Sequence, residues 1–385
     1  MLRLSILCAV AICAFACTTP ADCSFGGDCV ESACVCRTTW RGPNCSQLAL
    51  SPARLGLAFH QPNTSSWGGS VVRAGGAFWM AVAEMEGACG LDSWESNSAI
   101  RLAVSRTGAE GPFERAQLLL PPFAHNPTLH ATSNGSLLVA HIGTGEPYHP
   151  PISNCTNGTT PGAQPGGAAP PRAVPLQPRL ALGVKGAALP PPNFLLLPSG
   201  APDDGTPWIV LNSSGGAWAD NNPALLVAAD DSALLVYKVH CACPGGCFCA
   251  QFGVATAPHW SGPYTDGGLI DVWGEDAYVW RDAADDGAAY HMLFQGGSYS
   301  PIYPQYIGHW HTAFSMDFFN WTVAADSMVF DGHVSLVGGG SLLLSRRERH
   351  QVLFDESGVP RFLFNGAMLL NATGDGTFTS VQPIG

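Results

Sequence analysis

The sequence predicts an all-β protein, and three observations support this prediction. The chain of 385 residues has only 12% charged residues but 45 glycines and 31 prolines, a composition typical of strands joined by turns. A short apolar run, a turn and a second apolar run with alternating large residues recur five times. A cysteine-rich block precedes these repeats, so we expect a small disulfide-linked module followed by a repetitive β domain.

The first residues have the pattern of an export signal. Arg3 precedes a short apolar run that ends in Ala14-Phe15-Ala16, and this order is typical of a secretory signal peptide and its cleavage site. We therefore expect residues 1–16 to be removed and the mature protein to be secreted and extracellular. No later stretch has the roughly 20 apolar residues that a membrane-spanning helix needs.

The net charge of -12 limits the classes of partner. Nucleic acids and anionic lipids both favour basic surfaces, so we expect neither, and we expect neutral or cationic ligands instead. The sequence also predicts a glycoprotein, because sequons of the Asn-x-Ser/Thr type occur at Asn44, Asn63, Asn134, Asn154, Asn157, Asn212, Asn320 and Asn371.

The cysteine-rich block contains six cysteines, at positions Cys17, Cys23, Cys29, Cys34, Cys36 and Cys45. A unit this small buries too little apolar surface to fold without cross-links, and an oxidising compartment favours disulfides over a metal site. The count alone leaves many pairings open. The spacing resembles the EGF-like module, whose C-x-C pair is followed by a last cysteine after eight residues. Over residues 17–46, this resemblance implies the pairs Cys17–Cys29, Cys23–Cys34 and Cys36–Cys45.

The five repeats lie beyond residue 50 and read as hairpins. They are WGGSVVRAGGAFWMAVAEM, HNPTLHATSNGSLLVAHIG, NNPALLVAADDSALLVYKV, EDAYVWRDAADDGAAYHMLFQGG and ERHQVLFDESGVPRFLFNGA. A second motif, a strand followed by a Ser/Thr turn and an aromatic residue, starts at Leu102, Phe252 and Thr312 and supplies outer strands. Radial blades of four antiparallel strands form a β-propeller, so we predict a five-bladed β-propeller over residues 50–385. A Pro/Gly-rich insertion at about residues 145–207 interrupts it.

The starts of two repeats, His125-Asn126-Pro127 and Asn221-Asn222-Pro223, carry a resemblance together with the outer-strand motifs. They resemble the five-bladed propellers of the glycoside hydrolase family 43 and 32 superfamily, which includes arabinanases, xylosidases and invertases. This resemblance implies a protein that handles polysaccharide. A lectin-like propeller with more blades and a β-sandwich remain the alternative folds.

The family's catalytic carboxylates are not matched at the positions that the resemblance implies. It places an Asp base on the first inner strand, an Asp that tunes the acid on the second, and a Glu acid on the third. This chain has Trp67-Gly68-Gly69, Asn126 and Asn222 there, and an amide cannot accept and return a proton as a carboxylate does.

Two alternatives supply the pair of carboxyl groups that glycoside hydrolysis needs. In the first, Glu275 or Asp276 acts with Glu348; side chains alternate along a strand, so we expect Glu275 and Asp276 to point to opposite sides. In the second, a loop acid reaches over the site, with the candidates Glu84, Glu86, Asp92 and Glu95. Against a catalytic role, Glu348 has three arginines nearby in sequence and is an equally good candidate for a structural ion pair.

A glycan cleft combines planar polar side chains with aromatic platforms. The candidates for substrate binding are Trp67, His125, Asn126, Asn222, Arg349 and His350. We expect no cofactor, because the pair His309 and His311 has no evident third metal ligand. The leading hypothesis is a secreted glycoside hydrolase-like protein that binds, and in the active case hydrolyses, an extracellular polysaccharide or glycan. The competing hypothesis is an inactive adhesion or matrix protein that uses the EGF-like module and the propeller rim for protein contacts.

Overall fold

The structure is a computed structural model, and it describes residues 16–54, 57–133, 137–146, 150–163, 182–187, 218–242, 248–283, 289–296, 310–325 and 328–385. Within these ranges the protein is nearly all-β. In this part of the chain, no helix is both long enough and apolar enough to cross a membrane. The predicted signal peptide, His309 and most of the predicted insertion lie outside the described residues.

A small disulfide-linked module forms the N-terminal part. It contains a short 3-10 helix, Pro20–Cys23, and two hairpins, formed by β1 (Gly27–Val30) with β2 (Ala33–Cys36) and by β3 (Trp40–Arg41) with β4 (Gln47–Leu48). Its disulfides are Cys17–Cys29, Cys23–Cys34 and Cys36–Cys45, the same pairs that the sequence resemblance implies. The sulfurs of Cys17, Cys23 and Cys34 lie within 4.8 Å of one another, and all three are in disulfides.

The remaining strands form five units that follow one another along the chain. Unit 1 has β6 (Ser66–Ala74), β7 (Ala77–Met85), β8 (Ser98–Ser105) and β9 (Glu114–Leu120), with a 3-10 turn (Leu91–Ser93) and a short helix α1 (Trp94–Asn97) before β8. Unit 2 has β10 (Phe123–Ala131), β11 (Leu137–Glu146) and β12 (Leu182–Ala187). Unit 3 has β13 (Trp218–Val227), β14 (Ala233–Ala242), β15 (Phe248–Ala257) and the first part of β16 (Thr265–Arg281).

The last part of β16 continues into unit 4, where it pairs with β17 (Tyr290–Gly296), followed by β18 (Trp310–Ser315) and β19 (Thr322–Val323). Unit 5 has β20 (His333–Ser335), β21 (Ser341–Phe354), β22 (Pro360–Leu369) and β23 (Phe378–Pro383). The strand β5 (Leu57–Phe59) precedes unit 1 in the chain but pairs with β23, so it completes the sheet of unit 5.

The predicted hairpins are present in the described residues. Gly75 and Gly76, with φ of +57° and +77°, join β6 to β7, as a tight turn requires. At the corresponding turn of unit 5, the Asp355 carboxylate accepts hydrogen bonds from the backbone N–H groups of Ser357 and Val359. Gly358 follows with φ of +79°. Local turn chemistry therefore fixes these two hairpin registers.

The apolar core lies between neighbouring units, whose sheets face one another. Buried side chains join unit 1 to unit 2 (Ala81 with Val139), unit 2 to unit 3 (Leu138 with Leu235) and unit 3 to unit 4 (Val254 with Phe294). A further cluster joins unit 5 to unit 1 (Phe364 with Val82). Each fully buried Leu, Val or Phe contributes about 1.5–3 kcal/mol of transfer free energy, so these face-to-face layers are the main stabilising term.

The N-terminal module packs against units 4 and 5. The Trp40 ring lies 6.2 Å from the ring of Trp280 and 5.2 Å from that of His291, with both pairs stacked. Arg37 Nη1 donates to Asp282 Oδ2 at 3.0 Å, and Asn44 Nδ2 donates to the carbonyl of Ala325 at 2.6 Å. The cysteines and Trp40 share one buried cluster with side chains of both units. The module is therefore fixed to the β domain by packing and by polar contacts.

Candidate functional site

Each of the five units has a β-bulge near the start of one strand, which we call its inner strand. The inner strands are β6, β10, β13, the last part of β16 and the last part of β21, and β6 contacts both β10 and β21. At each bulge one residue has a left-handed backbone, with φ between 50° and 71°; these bulge residues are Gly68, Asn126, Asn222, Asp276 and Arg349. A bulge interrupts the alternation of side chains and directs one of them to a new side of the strand.

Four of the bulge residues contact one another through their side chains. Asn126 Nδ2 donates to Asn222 Oδ1 at 2.8 Å, and Asn222 Nδ2 donates to Asp276 Oδ1 at 2.9 Å. Arg349 Nη1 lies 3.8 Å from Asp276 Oδ1, and Arg349 Nη2 donates to the carbonyl of Asn126 at 2.7 Å. We call these four residues the central cluster.

Gly68 leaves room for the Arg349 side chain. A Cβ atom at Gly68 would lie 3.1 Å from Arg349 Cγ, and the φ of +71° there would strain any other residue type. The fifth bulge residue therefore contributes space to the central cluster rather than a polar group.

Burial dominates the electrostatics of the central cluster. Asp276 is only 5% exposed, and burial raises the pKa of its carboxyl to about 6, although the Arg349 guanidinium opposes this shift. The nearby carboxylates of Glu275 and Glu348 raise the pKa of Asp276 further. Burial lowers the pKa of Arg349, and the negative charge of Asp276 opposes this shift. Asp276 and Arg349 thus form a buried ion pair whose further polar contacts are with the Asn222 amide, two backbone carbonyls and the Thr128 hydroxyl.

Two carboxylates lie around the central cluster and are open to solvent to different degrees. Glu275, with 39% of its side chain exposed, accepts a hydrogen bond from Lys238 Nζ at 2.9 Å. Glu348 is 13% exposed and accepts two hydrogen bonds from Arg346, at 2.8 and 2.9 Å. The negative charges of both carboxylates raise the pKa of Asp276, so both lie near its carboxyl group. We call Glu275, Lys238, Glu348 and Arg346 the mouth of the site.

The aromatic surface beside the mouth comes from α1 rather than from β6. The ring of Trp94 is half-buried and lies 5.1 Å from the ring of His125, whose Nδ1 is 2.7 Å from Ser98 Oγ. Burial, together with the charges of Arg349 and Arg346, lowers the pKa of His125 to about 3, so its imidazole is neutral at physiological pH. His125 is only 4% exposed, so the half-buried indole of Trp94 is the part of this pair that borders solvent.

The segment that carries Trp94 is tied down at several points. The disulfide Cys89–Cys155 links it to the loop after β11. Asn97 donates to the carbonyl of Ile152 at 2.7 Å and accepts from its backbone N–H at 2.9 Å. The buried carboxylate of Asp375 accepts from the backbone N–H of Asp92 at 2.8 Å. These contacts hold the aromatic surface in place before any ligand arrives.

The structure brings most of the predicted site residues together, but four of the predicted substrate-binding residues have internal partners. Asn126 and Asn222 are bonded within the central cluster, and Arg349 is fully buried there. His350 is also fully buried, with Nδ1 at 3.0 Å from the side-chain amide of Asn365. All four residues are buried and do not face an open cleft, although Asn126 Oδ1, Arg349 Nε and Nη1 and His350 Nε2 have no hydrogen-bond partner among the described residues.

Trp67, predicted as a substrate-binding residue, is not an open platform in the structure. The residue is 3% exposed, and the guanidinium of Arg346 lies over its ring at 5.0 Å from the centroid. The physical reason is a cation–π contact that covers the ring while Arg346 also pairs with Glu348. Trp94 takes the role of exposed aromatic side chain instead.

The alternation predicted for Glu275 and Asp276 is interrupted by the bulge between Glu275 and Tyr278. The two carboxyls have different partners, yet they interact electrostatically. Among the loop acids, Glu84 is buried and pairs with both Arg101 and Arg115, so it serves an internal ion pair. Sequence reasoning missed Lys238, since its position in the middle of β14 carries no local signal of a partner in β16.

Comparisons with known proteins support the fold. No protein-family model matches the sequence, and no curated protein matches it significantly. Among solved structures, a thermostable family-43 glycoside hydrolase is 10% identical, with 83% of this chain and 89% of that chain covered and a TM-score of 0.51. A family 117 glycoside hydrolase from the marine bacterium Zobellia galactanivorans is 12% identical, with 88% of each chain covered and a TM-score of 0.50. A further glycoside hydrolase is 13% identical, with 86% of this chain and 92% of that chain covered and a TM-score of 0.52. At these identities the likeness concerns the fold alone, and this chain has the glycoside hydrolase-like β-propeller fold.

Proposed function

We propose that this protein is a secreted, extracellular glycan-binding protein with a glycoside hydrolase-like fold, and that the mouth is its carbohydrate site. The observation that carries the proposal is the convergence at the mouth, where Glu275 and Glu348 flank a buried polar cluster. Trp94 and the neutral imidazole of His125 lie on its side. A sugar site needs polar groups that bind hydroxyls and an aromatic surface that contacts the apolar face of the ring. The ionic groups of the mouth and the half-buried indole of Trp94 provide this combination.

Binding without hydrolysis is the form of this proposal that the residues favour. The positions implied for the family's carboxylates hold Gly68, Asn126 and Asn222, and Asp276 is committed to Asn222 and Arg349. Hydrolysis by Glu275 and Glu348 is the second candidate function. The observation in its favour is that both carboxylates raise the pKa of Asp276 and therefore lie near the same carboxyl group.

The experiment is a glycan array combined with a reducing-sugar assay on the polysaccharides that bind. For the wild type we expect binding without release of reducing sugar, and for Trp94→Ala a loss of affinity of at least about tenfold through the lost stacking surface. Glu275→Gln and Glu348→Gln should also weaken binding. The matched control is Glu356→Gln, which changes a highly exposed carboxylate at the far end of β21 and should have no effect.

Each outcome separates one hypothesis from the others. Turnover that is lost in Glu275→Gln and Glu348→Gln would replace simple binding by hydrolysis. An array without any bound glycan would refute the proposed function and favour the adhesion hypothesis, in which the N-terminal module and the rim of the β domain contact other proteins. Wild-type affinity in Trp94→Ala would place the sugar elsewhere on the protein.

We further propose that the five units close into a five-bladed propeller and that the N-terminal module is EGF-like. The contact of β21 with β6 and the pairing of β5 with β23 support closure, because both join the last unit to the start of the domain. A crystal structure with a gap between β21 and β6 would refute closure. Expression in a secretory host tests export and glycosylation, and a mature N-terminus other than Cys17 or a mass without glycans would contradict them.

A further inference from the structure

A second cavity lies at the opposite end of the inner strands from the mouth. It has a volume of about 1050 Å³ and is lined by residues of all five units. Its lining residues follow the bulge on each inner strand, for example Val71 after Gly68 and Val279 after Asp276. The mouth residues Glu275 and Glu348, by contrast, immediately precede the bulge residues. The central cluster therefore separates the two sites.

The inner wall of this cavity is mainly aliphatic, and the lining also includes His130, whose buried Nε2 has no hydrogen-bond partner among the described residues. Branched aliphatic side chains line the cavity just beyond the central cluster, among them Val71, Leu129, Val279 and Val352. Three half-buried aromatic side chains, Phe78, Phe354 and Phe362, lie on the remaining wall. Tyr278 and Trp280 also border the cavity, but their rings are nearly fully buried, and the Trp280 ring stacks on those of Trp40 and His291. Such a wall favours a flat aromatic ligand, which gains both area burial and ring contacts.

The outer part of the cavity is polar but has no net charge in its described portion. Arg73 pairs with Glu356 at 2.7 Å, and Arg361 pairs with Asp355 at 2.7 Å. Each of these pairs offers donors and acceptors to hydroxyl groups, while the balance of charges gives no preference for an ion. The volume lies at the upper end of the range of small-molecule pockets, roughly 300–1000 Å³.

We propose that this cavity binds a neutral aromatic compound that carries hydroxyl groups. The rings would lie against the aromatic wall, and the hydroxyl groups would reach the two ion pairs at the rim. The site is independent of the carbohydrate proposed at the mouth, because the central cluster lies between the two.

The test measures the affinity of the purified full chain for 7-hydroxycoumarin and for coumarin, which lacks the hydroxyl group. Calorimetry gives the affinity of each probe and the number of probe molecules bound per chain. We expect measurable binding of both probes, with 7-hydroxycoumarin at least about fivefold tighter. Ala131→Trp fills the cavity from an exposed position on its wall and should weaken both probes at least about tenfold.

Two variants provide the matched controls. Val337→Trp adds the same indole at a residue that is 63% exposed on the β20–β21 turn, away from the cavity, and should leave both affinities unchanged. The double change Arg73→Ala and Glu356→Ala removes one of the two ion pairs and should reduce the preference for 7-hydroxycoumarin while retaining coumarin.

Three results would overturn the inference. The first is no binding of either probe up to about 1 mM, which corresponds to about 4 kcal/mol of binding free energy. The second is unchanged affinity in Ala131→Trp, and the third is loss of probe binding in Trp94→Ala, which would place the probe at the mouth. If this inference fails, the proposal of glycan binding at the mouth is unaffected, because Ala131 lies outside the mouth.

Discussion

Asp276 makes the stability of the protein depend on pH in a way that a single substitution removes. Its carboxyl is buried, and its pKa in the folded protein is about 6, compared with an ordinary value of 3.8. A pKa that is higher in the folded state means that the folded protein binds the proton more tightly than the unfolded chain does. The free energy of unfolding therefore falls as the pH rises from about 4 to above 6, and this contribution is fully lost above the folded-state pKa.

The size of the effect follows from the shift. A shift of about 2 pH units at about 1.4 kcal/mol per unit gives a contribution of about 3 kcal/mol between pH 4 and pH 7. Asp276→Asn keeps an oxygen that can accept the hydrogen bond from Asn222, but it cannot ionise. Between pH 4 and pH 7 we expect the unfolding free energy of the wild type to fall by about 3 kcal/mol more than that of the variant. At pH 7 the variant also lacks the ion pair with Arg349, and this changes its absolute stability. The diagnostic quantity is therefore the difference between the two slopes of unfolding free energy against pH.

The assay is guanidinium unfolding with oxidised disulfides, followed by circular dichroism at several pH values between 4 and 7.5. Asp317→Asn is the control, because hydrogen bonds from Asn320 hold the pKa of the exposed Asp317 at about 2 and it stays ionised throughout this range. That variant should keep the wild-type slope. Identical slopes for Asp276→Asn and the wild type would refute the reasoning and would mean that water or a counter-ion solvates Asp276.

Three further predictions concern the architecture of the site. Gly68→Ala should cost about 1–3 kcal/mol, because its Cβ would meet Arg349 Cγ at 3.1 Å in a left-handed conformation, and an unchanged melting temperature would contradict this. Replacing Cys89 and Cys155 by Ser should cost about 4 kcal/mol through the entropy of a closed loop of 66 residues, and limited proteolysis should then cut near α1; resistance equal to that of the wild type would count against it. Trp40→Ala should cost about 3–5 kcal/mol and free the N-terminal module for proteolytic removal, whereas an undigested module would show that other contacts suffice.

The fold could be predicted from local signals because each hairpin carries its own. Gly75 and Gly76 encode the turn between β6 and β7, and Gly358 ends the turn between β21 and β22. The cysteine count predicted a disulfide-linked unit, and its pairing was implied only by the resemblance to the EGF-like module. The pair Cys89–Cys155 could not be predicted in this way, because its residues are 66 positions apart and meet only when units 1 and 2 are assembled.

The site could be predicted as a set of residues but not as a geometry. The starts of the repeats identified Glu275, Asp276 and Glu348, and the structure places them around one point. The left-handed backbone at Asp276 has no signal in the neighbouring sequence; it accompanies the β-bulge between Glu275 and Tyr278, which interrupts the alternation of side chains. Arg346 was visible in the sequence as a partner for Glu348, but its second contact, with Trp67, depends on the neighbouring unit.

The bulge residues are mutually dependent, because each limits which side chains its neighbours can carry. Gly68 gives Arg349 the space to reach Asp276, Arg349 compensates the buried carboxylate, and Asn222 occupies one of its oxygens. An Asp at position 222 would place a second carboxylate at about 3 Å from Asp276, and like charges at that distance do not both stay ionised. An Asp at this position would therefore share a proton with Asp276, whereas Asn222 donates and accepts without ionising. In the proposed carbohydrate site the cluster lies beside the mouth, and contact with the ligand would fall to Glu275, Glu348 and Trp94.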